Sequence, residues 1–538
     1  MKALNFVWIC FEDTSPRFGC YGNRAARTPH VDRLAAEGCR YDQVFSTAPV
    51  CAPARSAVYS GVHAVFAGAQ HMRVTHENPH VPEQHAYTCV PPHYVKYFTE
   101  VFRAHGWFCT NYGKSDTQFE AHFDRAPFTA WDLQGWGSEG APVHWRRRAP
   151  GQPFFSVFNF PGTHESRMWA DAEGGVRTDP AEVELPPYLP DTPGNRLAYA
   201  RAHDRLAETD ALAGQVLREL EEDGLADSTV VMVWSDHGEG LPRAKRWLYD
   251  TGLRVPLIVR WPGQITPGSV DGRLASTIDL APTVLAMAGL PAPVHLQGVP
   301  FWGRDAALRT HVFATRDRYD EAHDMVRCVR GGRYKLIRNY HPELPGTVWT
   351  PYACRHPVQK DLDARWAEGE SAGGQLARER REPEELYDCE RDPWEMDNLA
   401  GREEYAGTLR ELRAELEAWQ ARFDRFRDVP EAEMVARMWP GGVRPQTAVP
   451  RLIAHGPHQD AQKPVEDGEV LRGPVYLEWF CSTQGASIGW RREEDEAERW
   501  RLGGPRLRLP SGRHALRAKA VRIGYAESAE VAICLEVA

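Results

Sequence analysis

The chain of 538 residues is longer than one hydrophobic core usually supports, so we expect two or three domains. Its hydrophobic content of 42% and charged content of 26% are ordinary for a globular protein. The formal net charge of −10 leaves no basic excess for phosphates, which argues against nucleic-acid binding, and no apolar stretch approaches the ~20 residues that cross a bilayer.

The N-terminus has one lysine and a short apolar run that stops at Glu12. A secretory signal has a longer apolar region and a small-residue cleavage site, so none is predicted here. A full-length chain is therefore expected to be cytoplasmic. A periplasmic or secreted protein is expected if a signal has been removed.

The first region alternates strands with helices. Residues 4–11 form a continuous apolar run, as expected for a strand buried on both faces. Thr28 stands at a helix N-cap position, with Pro29 at the first helical position and Gly38 at the end. The next predicted elements are a helix from Pro53, a helix ended by Gly106 and followed by a strand, a strand over 153–160, a long helix over 199–224 and a strand over 228–238.

A second region opens near Leu308 and contains a predicted antiparallel hairpin that turns at Gly331 and Gly332. A helix is predicted over 404–423, and 443–450 is a proline-bearing linker candidate. Short strands separated by turn residues follow, over 475–483, 486–493, 513–524 and 530–537.

These patterns predict an α/β fold with a mostly parallel sheet covered by helices on both faces, a smaller antiparallel α+β subdomain and a small C-terminal all-β domain. The predicted boundaries are 1–308, 309–435 and 445–538. We expect the C-terminal domain to support packing or oligomerisation, with sugar binding as the alternative.

Eleven cysteines are scattered along the chain, and no pair has C-x-x-C spacing. Most are expected to be reduced, buried, small hydrophobic side chains. Cys51 is the exception, because Arg55 follows it four residues later, with Pro53 between them, at a predicted helix start. Backbone N–H groups and the dipole at such a start favour an anion. A buried cysteine beside a surface arginine is the alternative.

Polar residues follow two of the predicted buried strands. Glu12 and Asp13 come directly after the first strand, and Asp236 and His237 come shortly after the apolar run VVMVW at 230–234. Each pair alone also fits an ordinary turn or cap. Because functional groups in an open α/β sheet gather beyond the carboxyl ends of its strands, the pairs together predict a divalent-cation site.

Four segments resemble the type I sulfatases, in the order that this family has them. Residues 50–61, VCAPARSAVYSG, resemble the family signature C-x-P-x-R followed by a small-residue helix, and 5–38, 235–263 and 386–400 resemble its other motifs. The resemblance extends from about residue 4 to about residue 425. It implies the fold of the alkaline-phosphatase superfamily and hydrolysis of sulfate esters.

The resemblance implies that Cys51 is oxidised to formylglycine by a formylglycine-generating enzyme that recognises Pro53 and Arg55. One hydroxyl of the hydrated aldehyde attacks sulfur, and deprotonation of the other releases sulfate and restores the aldehyde. Arg55 holds this group through its fixed fork of donors. The implied metal is Ca²⁺, with ligands Glu12, Asp13, Asp236, His237 and the modified Cys51. The family more often has Asp at the position of Glu12.

The resemblance also implies residues that contact the substrate. Lys114 and Lys245 are the implied sulfate-binding lysines, with Arg246 as the alternative to Lys245. His164 is the implied general acid near the leaving oxygen. His71 and Arg73 are further candidates for substrate contact. Many members have histidine where this chain has Asp116.

The expected substrates are carbohydrate sulfates, with aryl sulfates also accepted, and 144–150, 166–175 and 340–357 are expected to line the pocket. One alternative is a phosphonate monoester or phosphodiester hydrolase of the same superfamily. Another is a catalytically silent glycan-binding homologue. The expected partners are a sulfated small molecule or glycan and the modifying enzyme. Homo-oligomerisation is possible through the C-terminal region, and neither nucleic acid nor membrane is expected.

Overall fold

The apolar runs of the sequence become the central strands of the fold. The structure is a computed structural model that describes residues 4–72, 87–138, 142–169, 175–497, 499–503 and 506–538. Within these ranges, no helix combines the length and the apolar character that crossing a membrane requires.

The strands are β1 (Asn5–Phe11), β2 (Cys39–Phe45), β3 (Phe108–Tyr112), β4 (Leu133–Gly135), β5 (Phe154–Phe160), β6 (Thr229–Trp234), β7 (Arg254–Arg260), β8 (Ser269–Ser276), β9 (Val312–Arg316), β10 (Val326–Arg330), β11 (Tyr334–Asn339), β12 (Glu384–Asp388), β13 (Arg451–His455), β14 (Glu469–Leu471), β15 (Tyr476–Phe480), β16 (Ser487–Arg492), β17 (Arg501–Leu502), β18 (Gly512–Val521) and β19 (Val531–Val537).

The α-helices are α1 (Pro29–Glu37), α2 (Cys51–Ser60), α3 (Ala64–Ala67), α4 (Phe98–Ala104), α5 (Pro193–Glu222), α6 (Asp250–Leu253), α7 (Leu280–Met287), α8 (Pro357–Ala367), α9 (Ala406–Phe423) and α10 (Glu431–Met438). Short 3-10 helices lie between them, and those next to the site are Pro161–Thr163, Glu165–Met168 and Ala353–Arg355.

The large sheet has eight strands in the order β4-β3-β5-β1-β6-β7-β2-β8. Every residue of β1 and β6 is buried, as their continuous apolar sequences predict. The two strands are parallel, with Asn5 opposite Thr229 and Cys10 opposite Trp234. β7 is antiparallel to both β6 and β2. The predicted α/β fold with a mostly parallel sheet is confirmed.

The smaller sheet has the order β12-β11-β10-β9 and contains the predicted hairpin of β10 and β11. Its inner face packs against α9 through a cluster that includes Leu336, Leu412 and Trp419. The separate antiparallel sheet that the sequence predicts is therefore present.

Helix α1 has the predicted N-cap Thr28, first residue Pro29 and C-cap Gly38. The Thr28 side chain makes no cap hydrogen bond, and the backbone N–H groups of His30 and Val31 instead donate to the carboxylate of Asp210 on α5. A partner distant in sequence therefore replaces the local cap. α5 begins at Pro193, six residues before the predicted start, because Thr192 caps the N–H of Asn195.

The described residues form two compact units. The first contains 4–72, 157–169 and 175–428. The second contains 87–138, 142–156 and the described residues from 429 onward, including the five-stranded sheet β14-β19-β18-β16-β17. The predicted three-domain division remains a prediction.

Candidate active site

Two polar pairs leave the large sheet at the same edge. Because β1 and β6 are parallel neighbours in register, Glu12 and Asp13 emerge beside Asp236 and His237. The backbone N–H of Asp13 donates to Asp236 Oδ1 at 3.2 Å, and Asp13 Oδ1 lies 3.1 Å from His237 Nε2. All four side chains are buried. The grouping that the sequence predicted is therefore present.

Cys51 lies beside both pairs, at the first position of α2. Its Sγ is 3.5 Å from Glu12 Oε1, 3.9 Å from Asp13 Oδ1 and 3.3 Å from His237 Nε2. The helix begins at Cys51, two residues before the predicted start at Pro53. The proline is tolerated there because the first N–H groups of a helix have no partner within the helix.

The donor set of this cluster fits a hard divalent cation. Two overlapping groups have ligand atoms within 4.8 Å of one another: Glu12, Asp13, Cys51 and His164, and Asp13, Cys51, Asp236 and His237. His237 Nδ1 donates to the carbonyl oxygen of Gly238 at 2.9 Å, so Nε2 of the neutral ring has a lone pair that faces the cluster. Carboxylate oxygens with one imidazole are donors that divalent cations accept.

Arg55, one turn after Cys51 on α2, contacts this cluster through Asp236. Its Nε donates to Asp236 Oδ2 at 2.9 Å, and its Nη1 donates to Asn159 Oδ1 at 2.6 Å. The side chain is fully buried. Burial opposes its charge, but the Asp236 carboxylate raises the pKa of Arg55 well above its usual value. Arg55 thus holds Asp236 in place, and Asn159 at the end of β5 is a partner that sequence reasoning missed.

Lys245 and Arg246 lie on the opposite side of Asp13. Lys245 Nζ is 2.8 Å from Asp13 Oδ2 and 3.0 Å from Glu165 Oε1. Arg246 binds Glu165 with both Nη atoms, at 2.9 and 2.7 Å. Gly240 permits this close packing, since a Cβ at its position would stand 2.8 Å from Asp13 Oδ2. Lys245 and Arg246 thus share one buried carboxylate.

The buried charges of Asp13, Glu165 and Lys245 stabilise one another. Burial favours the neutral form of Asp13, but Lys245, followed by His164 and His237, holds its pKa well below the usual value. Burial likewise opposes the charged form of Glu165, and Arg246 and Lys245 lower its pKa. Burial opposes the charge of Lys245, and Asp13 is the main cause of its raised pKa. All three groups are therefore ionised at neutral pH.

His164 lies at the same cluster, after the 3-10 helix Pro161–Thr163. Its Nδ1 accepts a hydrogen bond from the backbone N–H of Ser166 at 3.3 Å and lies 2.8 Å from the hydroxyl of Ser166. Because Nδ1 is an acceptor, the proton of the neutral ring is on Nε2. This is the tautomer that a general acid acting through Nε2 requires.

The remaining predicted residues have different positions. His71 is buried, and its Nδ1 accepts a hydrogen bond from the N–H of Arg318 at 3.2 Å. Arg73 lies outside the described residues. Lys114 belongs to the second unit, where its Nζ is 2.9 Å from Asp116 Oδ2. Asp116, which stands where many family members have histidine, therefore pairs with Lys114.

Sequence reasoning missed Glu165, His356 and Tyr352 as individual residues, although 340–357 was expected to line the pocket. Tyr352 lies 6.2 Å from His164 and 5.0 Å from Trp169 between ring centroids. The only local signal for Glu165 is its place directly after His164. Nothing in the sequence near residue 352 or 356 indicates proximity to the strand ends.

Comparison with known proteins identifies relatives over the whole chain. The family model described as Sulfatase matches residues 4–136 and 143–290, and that described as N-sulphoglucosamine sulphohydrolase, C-terminal, matches 238–350. An "Ulvan-active sulfatase" of Formosa agariphila is 33% identical over 574 residues, which cover 98% of this chain and 91% of that protein.

Solved structures share the fold. A protein in complex with its substrate D-glucosamine-2-N,6-O-disulfate has a TM-score of 0.55 at 18% identity and covers 80% of this chain and 99% of its own. A phosphonate monoester hydrolase from Silicibacter pomeroyi has a TM-score of 0.56 at 18% identity and covers 80% of this chain and 97% of its own. The sequence matches confirm the predicted enzyme class, a hydrolase of sulfate esters. The chain belongs to the sulfatase family.

Proposed function

We propose that this sulfatase hydrolyses sulfate esters of carbohydrates, and that it uses a formylglycine made from Cys51 and a bound calcium ion. The observation that carries the proposal is the position of Cys51 Sγ, within 3.9 Å of carboxylates of Glu12 and Asp13 and 3.3 Å from His237. The name of the Formosa relative supports a sulfated polysaccharide as the substrate class.

The residues of the site have separate tasks in this proposal. Glu12, Asp13, Asp236 and His237 hold the cation, which when bound neutralises the sulfate oxygens and the nucleophile. Calcium is proposed because the ligands are mostly hard oxygens. One hydroxyl of the hydrated aldehyde attacks sulfur and displaces the alcohol. Deprotonation of the second hydroxyl then breaks the C–O bond to the sulfate group, which releases sulfate and restores the aldehyde. Arg55 orients the modified Cys51 indirectly, because it holds the neighbouring Asp236 carboxylate.

The second set of residues acts on the substrate. Lys245 Nζ, 2.8 Å from Oδ2 of the proposed cation ligand Asp13, would bind the sulfate group, and Lys114 remains a proposed second sulfate-binding lysine. His164 donates the proton on Nε2 to the departing alcohol oxygen. Arg246 remains the alternative to Lys245 as a sulfate-binding residue, and His71 and Arg73 remain proposed contacts to the substrate.

The test begins with protein co-expressed with a formylglycine-generating enzyme. Conversion of Cys51 lowers the intact mass by about 18 Da. Converted protein is expected to release sulfate from ulvan oligosaccharides and from 4-nitrophenyl sulfate, while Cys51→Ala and unconverted protein are expected to be inactive with an unchanged fold. Full activity of protein with an unmodified thiol would contradict the proposed chemistry. Faster turnover of a phenylphosphonate monoester than of either sulfate would favour the phosphonate hydrolase instead.

The identity of the cation is tested separately, by elemental analysis of the purified protein. About one calcium per chain is expected, and Asp236→Ala is expected to lose both the calcium and the activity. An active preparation that contains no divalent metal would contradict the proposed site.

A further inference from the structure

The ring of His356 lies at the start of α8, as its N-cap residue. Its Nδ1 accepts a hydrogen bond from the backbone N–H of Val358 at 3.2 Å. The proton of the neutral ring is therefore on Nε2. The side chain is 2% exposed, and among the residues that the structure describes Nε2 has no hydrogen-bond acceptor.

The segment just before His356 borders the candidate active site, because the ring of Tyr352 lies 6.2 Å from that of His164 and 5.9 Å from the Arg246 guanidinium. The charges of Glu165, Arg246 and Lys245 all act on its ring. Burial is the main cause that lowers the pKa of His356 to about 4. The charges of Arg246 and Lys245 lower this pKa further, whereas the charge of Glu165 raises it. Because this pKa lies well below neutral pH, the ring of His356 is uncharged at pH 7, and its single proton, on Nε2, is the one it can donate.

Arg246 presents a second buried donor, on a charged guanidinium. Both of its Nη atoms bind Glu165, but its buried Nε has no acceptor within the described parts of the chain. Its backbone has a φ of 78°, an unfavourable conformation for a residue with a long side chain, and its N–H is held by the carbonyl oxygen of Pro49 at 2.8 Å. The fold thus maintains a strained residue whose Nε has no acceptor among the described residues.

Two buried donors without acceptors reduce stability unless a ligand supplies the acceptors. The positive charges of Lys245 and Arg246 are already balanced by Asp13 and Glu165, so an acceptor at this place need not carry a charge of its own. Tyr352 adds an aromatic ring 5.9 Å from the Arg246 guanidinium. Donors whose charge is absent or already balanced, next to an aromatic ring, suit a sugar ring with its hydroxyl oxygens.

We infer that His356 Nε2 and Arg246 Nε form a hydroxyl-binding subsite, in which they donate hydrogen bonds to oxygens of the sugar that carries the scissile sulfate. The inference rests on the proposed function and adds a specificity-determining residue, His356, to it. A site built around such donors discriminates against a substrate that lacks the matching oxygens, because the donors then stay unpaired. Aryl sulfates lack those oxygens.

The test uses His356→Asn, because an asparagine oxygen also caps a helix N-terminus but its short side chain does not extend to the position of Nε2. For the formylglycine-containing enzyme, kcat/KM on ulvan oligosaccharides is expected to fall about 100-fold. The loss on 4-nitrophenyl sulfate is expected to stay below about tenfold. His356→Gln, whose amide extends further, is expected to recover part of the loss on the oligosaccharides. His458→Asn, at an exposed position in the second unit, is the matched control.

Thermal unfolding of each variant shows whether the cap and the fold are retained. Equal losses on the two substrates for a folded His356→Asn enzyme would overturn the subsite while leaving the proposed function intact. Wild-type enzyme that hydrolyses 4-nitrophenyl sulfate but no ulvan oligosaccharide and no N-sulphoglucosamine would overturn both the carbohydrate substrate class and the subsite.

Discussion

Glu165 holds two positively charged side chains of the site, Lys245 and Arg246, in place. It accepts from both Nη atoms of Arg246 and lies 3.0 Å from Lys245, and its side chain is 3% exposed. Breaking a buried ion pair by removing one partner leaves an uncompensated charge in a place that water does not reach. The Glu165 carboxylate therefore affects both the stability of the fold and how freely the Lys245 and Arg246 side chains can bind substrate.

Glu165→Gln is accordingly expected to lower the free energy of unfolding by about 3–5 kcal/mol at neutral pH. Chemical denaturation of the purified variant and the wild type measures the difference. Glu404→Gln, at an exposed position, serves as the control and is expected to change stability by less than about 0.5 kcal/mol. A loss for Glu165→Gln no larger than that of the control would show that the buried pair contributes nothing to the fold.

The role of His164 is separable from that of Lys245 by the choice of leaving group. An activated phenolate departs without a proton, whereas a sugar alcohol does not, so general-acid help matters mainly for sugars. His164→Ala is expected to reduce kcat/KM on ulvan oligosaccharides by about 10²–10⁴-fold, and on 4-nitrophenyl sulfate far less. Lys245→Ala is expected to slow both substrates comparably, because both present the same sulfate group. Equal losses for His164→Ala would leave it a binding residue.

At the scale of elements, the sequence predicts those parts of the site that follow from strand order and local pattern. Glu12, Asp13, Asp236 and His237 were predicted together because each pair follows a continuous apolar run, and parallel neighbours bring such pairs to one edge. His356 was not predicted as a single residue, because it reaches the site through the placement of α8, more than a hundred residues beyond Arg246. Packing between elements that are distant in sequence decides such positions, and no local pattern reports it.

His63 illustrates how an element junction makes stability depend on pH. It precedes α3, and its Nε2 accepts a hydrogen bond from Trp419 Nε1 of α9 at 3.3 Å. Burial, together with the charge of Arg309, lowers the pKa of His63 to about 3. The unfolded chain binds a proton near pH 6.5 that the folded chain does not, so the folded state loses stability as pH falls below 6.5.

We expect His63→Gln to remove this part of the pH dependence, because glutamine also offers an acceptor to Trp419 but does not titrate. Between pH 7.5 and pH 5, wild type is expected to lose about 2 kcal/mol more than the variant. Urea denaturation at both pH values measures the difference, and it cancels the contribution of other histidines that both proteins share. Identical pH dependence for the two proteins would mean that His63 has the same pKa in the folded chain as in the unfolded chain.

At the scale of the molecule, the second unit joins stretches that are far apart in sequence. Arg103 Nη2 donates to the carbonyl oxygen of Trp500 at 2.6 Å, and Arg444 forms an ion pair with Glu120 at 3.0 Å. Trp439 Nε1 donates to the carbonyl oxygen of Thr88 at 3.1 Å. The linker candidate at 443–450 and the short strands beyond it predicted a separate accessory domain, but turn residues and short strands carry no information about such distant partners.

A chain that ends at residue 442 tests that predicted boundary. Because Arg103 and Glu120 would lose their partners inside the second unit, the shortened chain is expected to unfold at a temperature about 10 °C or more below that of the full chain. Differential scanning calorimetry compares the two proteins. A shortened chain with an unchanged unfolding temperature, together with a folded fragment 445–538, would establish the C-terminal stretch as an independent domain.

The burial of α2 has a consequence for the order of events in the life of the protein. All ten of its residues, Cys51 through Ser60, are buried, and Cys51 and Arg55 are 0% exposed. In the proposed chemistry a modifying enzyme must bind the segment around Cys51, and the completed fold leaves that segment inaccessible. The proposed oxidation of the cysteine would therefore compete in time with folding, and a chain that folds first would stay inactive for as long as it remains folded. The yield of active enzyme would then be set during synthesis, by the rate of folding relative to the supply of modifying enzyme.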